Sequence, residues 1–119
     1  MFRGSLIMNY TGHGSERSWA QERVLGEGDI SSWENWDKLP LFVTATCSFS
    51  RYDDPNATSA GEQTLLSDKG GSIGLITTVR LVFANANFQI NREIFRTIFE
   101  PLPDGTRPTL GDEIGRAHV

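Results

Sequence analysis

Three short apolar runs divide the chain, and each ends in small, polar or glycine-rich residues. They predict strands at about 5–10, 41–47 and 72–79, spans set by β-branched and aromatic content and by flanking Gly and Pro. The middle run, Leu41-Phe42-Val43-Thr44-Ala45-Thr46-Cys47, starts at Pro40 and reads as a strand buried on both faces. Ser72 to Val79 is short and apolar enough to be covered on both faces as well. Between the first two strands, Glu16 to Glu27 is polar and reads as a loop, with Trp19 packing it down. Gly28-Asp29 then opens a helix with Asp29 as N-cap, and Ile30, Trp33 and Trp36 fall on one face.

Thr58 or Ser59, with Glu62 three or four residues on, predicts a second capped helix that runs through Leu65-Leu66 to Asp68. Asn85 to Glu100 carries a third. Phe88, Ile94, Phe95, Ile98 and Phe99 form its apolar stripe, read as core, and Arg92, Glu93, Arg96 and Thr97 face water. Pro101 and Pro103 end it, and Thr109-Leu110-Gly111-Asp112 has the form of a capping box for a last helix. Strand, crossover helix and strand again make a βαβ unit, so the fold class expected is a three-layer α/β/α arrangement on a parallel sheet. The first strand starts close to residue 1 and the last helix is short, so residues 1–119 are expected to be part of a domain, cut at both ends.

Parallel strands share one C-terminal edge, where open α/β sheets carry their chemistry. That edge collects Tyr10-Thr11-Gly12-His13-Gly14-Ser15 after the first strand and Cys47 at the end of the second. Thr77, Thr78 and Arg80 lie at the same edge after the third and are candidates to line a substrate pocket. Glycine on both sides of His13 allows close approach of the backbone or a positive φ. Gly70-Gly71-Ser72-Ile73-Gly74 precedes its strand instead of joining strand to helix, so it is not read as a phosphate loop.

Composition narrows the chemistry. One cysteine excludes an internal disulfide, and with only two histidines a structural zinc site is not expected. A net charge of −4 without a Lys/Arg cluster excludes a nucleic-acid groove. The chain has no apolar run long enough to span a membrane. Asp53 and Asp54 could face a cation but read as solvated turn residues, so no metal and no cofactor is expected. Taken singly, Cys47 reads equally as a plain core cysteine and His13 as an idle, exposed turn residue; placed together at one sheet edge they suit nucleophilic chemistry. A free thiol is only a few per cent thiolate at neutral pH, and an imidazole beside it can take its proton and return it to a leaving amine. His13 and Cys47 are the candidate pair. The backbone N–H groups of Gly14 and Cys47 are the candidate oxyanion donors. The third catalytic group is left open; Glu16 and Glu22 are the carboxylates nearest His13 in sequence.

Asn9-Tyr10-Thr11-Gly12-His13-Gly14-Ser15, with Trp19 following, resembles the His-Gly motif of the gingipain family of cysteine peptidases, in the caspase-like clan. Ala45-Thr46-Cys47 resembles that clan's Ala-Cys motif, with Thr46 where Ala is usual. Ser59-Ala60-Gly61-Glu62, Gly70-Gly71-Ser72-Ile73, Thr77 to Val82 and Thr109 to Ile114 resemble the subgroup around the PorU sortase of type IX secretion. The resemblance implies a caspase-like fold lacking its first two strands here, with His13 as catalytic histidine, Cys47 as nucleophile and Gly14 at the oxyanion site. It also implies a peptidase or sortase-type transpeptidase that removes C-terminal sorting domains from secreted proteins. Its parent would sit at the outer membrane or surface of a Bacteroidetes-type bacterium, with a protein or peptide substrate and secretion-system partners. Two other readings are a caspase-like scaffold used only for binding or assembly, with Cys47 idle, and a Rossmann-like ligand-binding domain. The absence of a helix behind the His13 turn speaks against the second.

Overall fold

The computed structural model describes residues 3–117, in one unit that ends at Val82 and another that begins at Phe83. The first unit contains β1 (Ile7–Thr11), β2 (Ser18–Trp19), β3 (Leu25–Gly26), α1 (Glu27–Ser31), β4 (Leu41–Ala45), α2 (Ala60–Leu66) and β5 (Gly74–Ile76). The expected three strands form a parallel sheet in the order β1-β4-β5. Its register pairs Ile7 with Leu41, Thr11 with Ala45, and Leu41 with Gly74.

Every residue of β4 is buried, as its unbroken apolar run requires. Phe42 sits at the centre of the core with Trp19, Leu25, Ile30, Phe49 and Ala60, and Met8, Tyr10, Trp33 and Leu75 pack against it. The third strand differs from expectation. Only Gly74–Ile76 is strand, its residues are half-buried, and Ile73 is 72% exposed, because β5 borders β4 alone among the described residues.

Residues 16–27 are not simply a loop. β2 and β3 form an antiparallel ribbon that sets Trp19 opposite Leu25, and both are buried. Two residues per strand are too few for alternation to show in the sequence. The expected packing role of Trp19 holds, since its ring lies against Phe42 and Phe49.

The first helix is shorter than its apolar spacing suggests, and its cap is Gly26. Asp29 lies inside the first turn, where its carboxylate accepts the Gly26 N–H at 2.9 Å. Ser31 and Ser32 then donate their hydroxyls to the carbonyls of Glu27 and Asp29, each at 2.7 Å, and the helix stops. Trp33 is half-buried and Trp36 exposed, so the expected three-residue face is not formed. The cap of α2 follows the sequence reading: Ser59 N–H donates to Glu62 at 2.8 Å, and Glu62 N–H to Ser59 Oγ at 3.4 Å.

The glycine pair before β5 has a packing reason. Asn35, buried, accepts the Gly71 N–H at 2.9 Å and donates to the Gly71 carbonyl at 3.0 Å. A Cβ on Gly71 would stand 2.0 Å from the Thr64 carbonyl oxygen, and its φ of +124° also favours glycine.

The second unit contains α3 (Ala84–Thr97) and α4 (Leu110–Ala117). Thr109 and Asp112 cap α4 reciprocally, as expected. The stripe on α3 departs from expectation: Phe88 and Phe99 are exposed, whereas Thr97, assigned to water, is buried with Ile94. The buried Glu113 of α4 accounts for the buried Thr97, since it accepts bonds from Thr97 Oγ1 and, at 3.0 Å, from Arg116 Nη1. A carboxylate met from another helix draws the polar position inward, which periodicity within α3 alone does not reveal.

Candidate active site

The segment after β1 is held by hydrogen bonds from Tyr10 and from the ribbon. The His13 carbonyl accepts the Tyr10 hydroxyl at 2.7 Å and the Ala20 N–H at 2.8 Å, which occupies both of its lone pairs. Gly14 then faces Trp19 in an antiparallel bridge. The bonds on either side of that pair run from Ser15 N–H to the Ser18 carbonyl and from Ala20 N–H to the His13 carbonyl. In such a pair the facing residue's own N–H and C=O point away from the partner strand. The His13 side chain is exposed.

Neither glycine of the turn has a positive φ. Each is there for close approach. A Cβ on Gly12 would lie 2.6 Å from the Tyr10 hydroxyl oxygen, and one on Gly14 would lie 2.1 Å from Thr46 Oγ1. Tyr10 and Thr46 are therefore what the two glycines accommodate. Reading the turn from its sequence shows the need for glycine but not what fills the space.

The segment after β4 is held by burial and by bonds to the segment after β5. Phe49 and Ser50 are buried, while Cys47 is half-buried with a free thiol. Ser48 takes φ +50°, in the left-handed region, and breaks the extended chain immediately after Cys47. Its N–H donates to the Arg80 carbonyl at 3.2 Å and Ser50 N–H to the Thr78 carbonyl at 3.1 Å, so the segments following β4 and β5 stay joined after the ladder ends.

The parallel register brings the two ends together. Thr11 pairs with Ala45, and His13 and Cys47 each follow two residues later. Both residues lie past the strands, His13 after the bend at Gly12 and Cys47 within the bend that follows Ala45. Beyond the ladder the two segments still meet, with Gly14 closely approached by Thr46. A further clamp joins the loops: the first N–H groups of α2 donate to them, Ala60 to the Glu16 carbonyl at 2.7 Å and Gly61 to the Phe49 carbonyl at 2.9 Å. Gly61 can do so because a Cβ there would stand 1.8 Å from Ser50 Oγ.

The sequence profile of peptidase family C25 matches residues 1–119. The chain belongs to peptidase family C25. Among solved structures, the Arg-specific cysteine proteinase gingipain R superposes with a TM-score of 0.84 at 20% identity, over 96% of this chain and 27% of that one. A second structure, described only as a protease, gives a TM-score of 0.65 at 24% identity, over 72% of this chain and 19% of that one. A search of curated proteins finds no match. The fold is thus the mixed α/β, caspase-like one with a parallel sheet, and the chain spans about a quarter of the gingipain R chain.

In this C25 chain the residues expected to line a pocket have structural partners. Thr77 Oγ1 accepts from Thr44 Oγ1 at 2.7 Å, and Thr78 Oγ1 donates to the Thr46 carbonyl. Arg80 grips Asp53 with two donors, one at 2.7 Å, and also donates to the Val79 carbonyl. The bond between Arg80 and Asp53 raises the Arg80 pKa and holds the Asp53 carboxyl below the usual range. Glu16 accepts from Arg51 at 2.6 Å, which raises the Arg51 pKa, and Glu22 is exposed. Asp54 accepts the Asn56 N–H at 2.9 Å. Among the described residues no group of three His, Cys, Asp or Glu side chains has metal-site geometry. No described helix is long and apolar enough to cross a membrane.

Proposed function

We propose that the protein is a cysteine endopeptidase in which Cys47 is the nucleophile and His13 the general base and acid. The observation that carries this is the parallel register of β1 and β4, with both reactive side chains two residues past the last pair. Family membership and the half-buried, free thiol support it. His13 takes the thiol proton as Cys47 Sγ bonds to the scissile carbonyl carbon. The negative oxygen of the tetrahedral adduct accepts from the N–H groups of Gly14 and Cys47. His13 then protonates the amine as the C–N bond breaks, which leaves an acyl-thioester on Cys47.

Water releases the acyl group as an acid, whereas an amine from another molecule would take it over as an amide. The second route is sortase-type transpeptidation. Resemblance of the Ser59–Glu62 and Thr77–Val82 stretches to the PorU subgroup favours secreted proteins with C-terminal sorting domains as substrates, at the outer membrane or cell surface. Partner proteins of the secretion system would then meet the full-length protein. Cys47→Ala in that protein should abolish cargo processing while leaving its unfolding transition in place. Unchanged processing by the variant would refute the assignment.

A further inference from the structure

Tyr10 is not among the groups the peptidase mechanism uses, yet its hydroxyl ends on the backbone of the residue that does the proton transfer. Its ring stacks on Trp19 with centroids 4.5 Å apart and planes 3° from parallel, and Trp19 is fixed in the core. Burial, with the Glu22 carboxylate adding to it, pushes the Tyr10 phenol up, so the hydroxyl remains a donor through neutral pH. The bond to His13 crosses three residues of chain, and Gly12 gives it room: any side chain there would collide with the phenol oxygen.

Resting on the peptidase reading, we infer that Tyr10 is a positioning residue for His13: its hydroxyl, aimed by the Trp19 stack, pins the His13 carbonyl and so sets where the imidazole stands relative to Cys47. The Ala20 N–H holds the same carbonyl from the ribbon side, so the two bonds together fix the peptide plane. Removing the hydroxyl leaves the ring, the stack and the core contact in place. What is lost is the aim of the imidazole.

The test is Tyr10→Phe in the full-length protein, read as the His13-dependent part of Cys47 alkylation by iodoacetamide between about pH 5 and pH 9. His13→Ala defines that part. The expected result is a drop of about fivefold, the worth of one net hydrogen bond, with kcat falling and KM unchanged. Gly12→Ala, which displaces the same hydroxyl, should give a similar loss, and the two substitutions together should cost less than their sum. The Gly12→Ala protein carries the test should Tyr10→Phe fail to fold. A wild-type profile in both variants, with His13→Ala still abolishing the enhanced rate, overturns the role of Tyr10 and leaves the dyad standing. A His13→Ala profile identical to wild type overturns both.

Discussion

The two strand ends that meet at the candidate site are built in opposite ways. β4 is buried along its length, and the core rings of Phe42 and Phe49 lie five residues before and two residues after Cys47. β1 alternates between half-buried and exposed, and its His13 turn is kept in place by a tyrosine hydroxyl, a ribbon N–H and the helix α2. Burial thus dominates on the β4 side, with the bonds from Ser48, Ser50 and Thr78 added to it, whereas directed hydrogen bonds alone hold the His13 backbone. Burial is tied to global stability, so emptying the core under β4 weakens the fold. Hydrogen bonds on a half-exposed turn are individually worth little to folding, so the imidazole can be misaimed in a protein that remains folded.

The largest effect that would break this contrast lies under β4. Phe42→Ala, which empties a fully buried ring site, should cost about 3–5 kcal/mol in denaturant unfolding, whereas Tyr10→Phe should cost only about 1 kcal/mol, one net hydrogen bond. The junction between the two ends comes next. Gly14→Ala sets a methyl group against Thr46 Oγ1 and should cost about 1–3 kcal/mol. Thr46→Ala removes the colliding atoms and should recover most of that loss in the double variant. A simple sum of the two single effects would mean that the glycine serves something other than this contact.

Ser59→Ala removes the cap of the helix whose first N–H groups hold both loops, for a loss of about 1 kcal/mol. Hydrogen exchange of the Ala60 and Gly61 amides should speed up in that variant before the β4 amides do. The smallest effect is electrostatic and exposed. Arg80 lowers the folded-state pKa of Asp53, so this pair contributes stability above the ordinary aspartate range, about 3.9. The contribution fades as pH falls through the lowered value. Asp53→Asn should therefore reduce Tm slightly at neutral pH and leave it unchanged in strong acid, read from melting curves across pH.

The contrast also explains what could be read from residues alone. The β4 strand, its Pro40 start and its reactive end are carried by a continuous apolar run, and the Ser59–Glu62 and Thr109–Asp112 caps by local spacing. These are properties of one segment at a time. The buried Thr97 and the pairing of Arg80 with Asp53 depend on partners distant in sequence. The ribbon of β2 and β3, the short α1 and the bond from Tyr10 to His13 are local, but two-residue strands and single side-chain bonds leave no periodic mark. Tyr10 falls on the core side of β1 by alternation with Met8, a hint that it points inward, but nothing in its own stretch names the His13 carbonyl as its acceptor.

The central claim is that β1 and β4 deliver residues 13 and 47 side by side to one rim. His13→Cys tests it directly, because the chain has a single cysteine and positions that continue the β1–β4 register would fall within the roughly 4.4–6.8 Å Cα separation that a disulfide spans. Mild oxidation of the folded variant should consume both thiols within a monomer, and reduction should restore two. Two thiols that stay titratable in the oxidised, folded protein, or disulfides found only between molecules, would contradict the account.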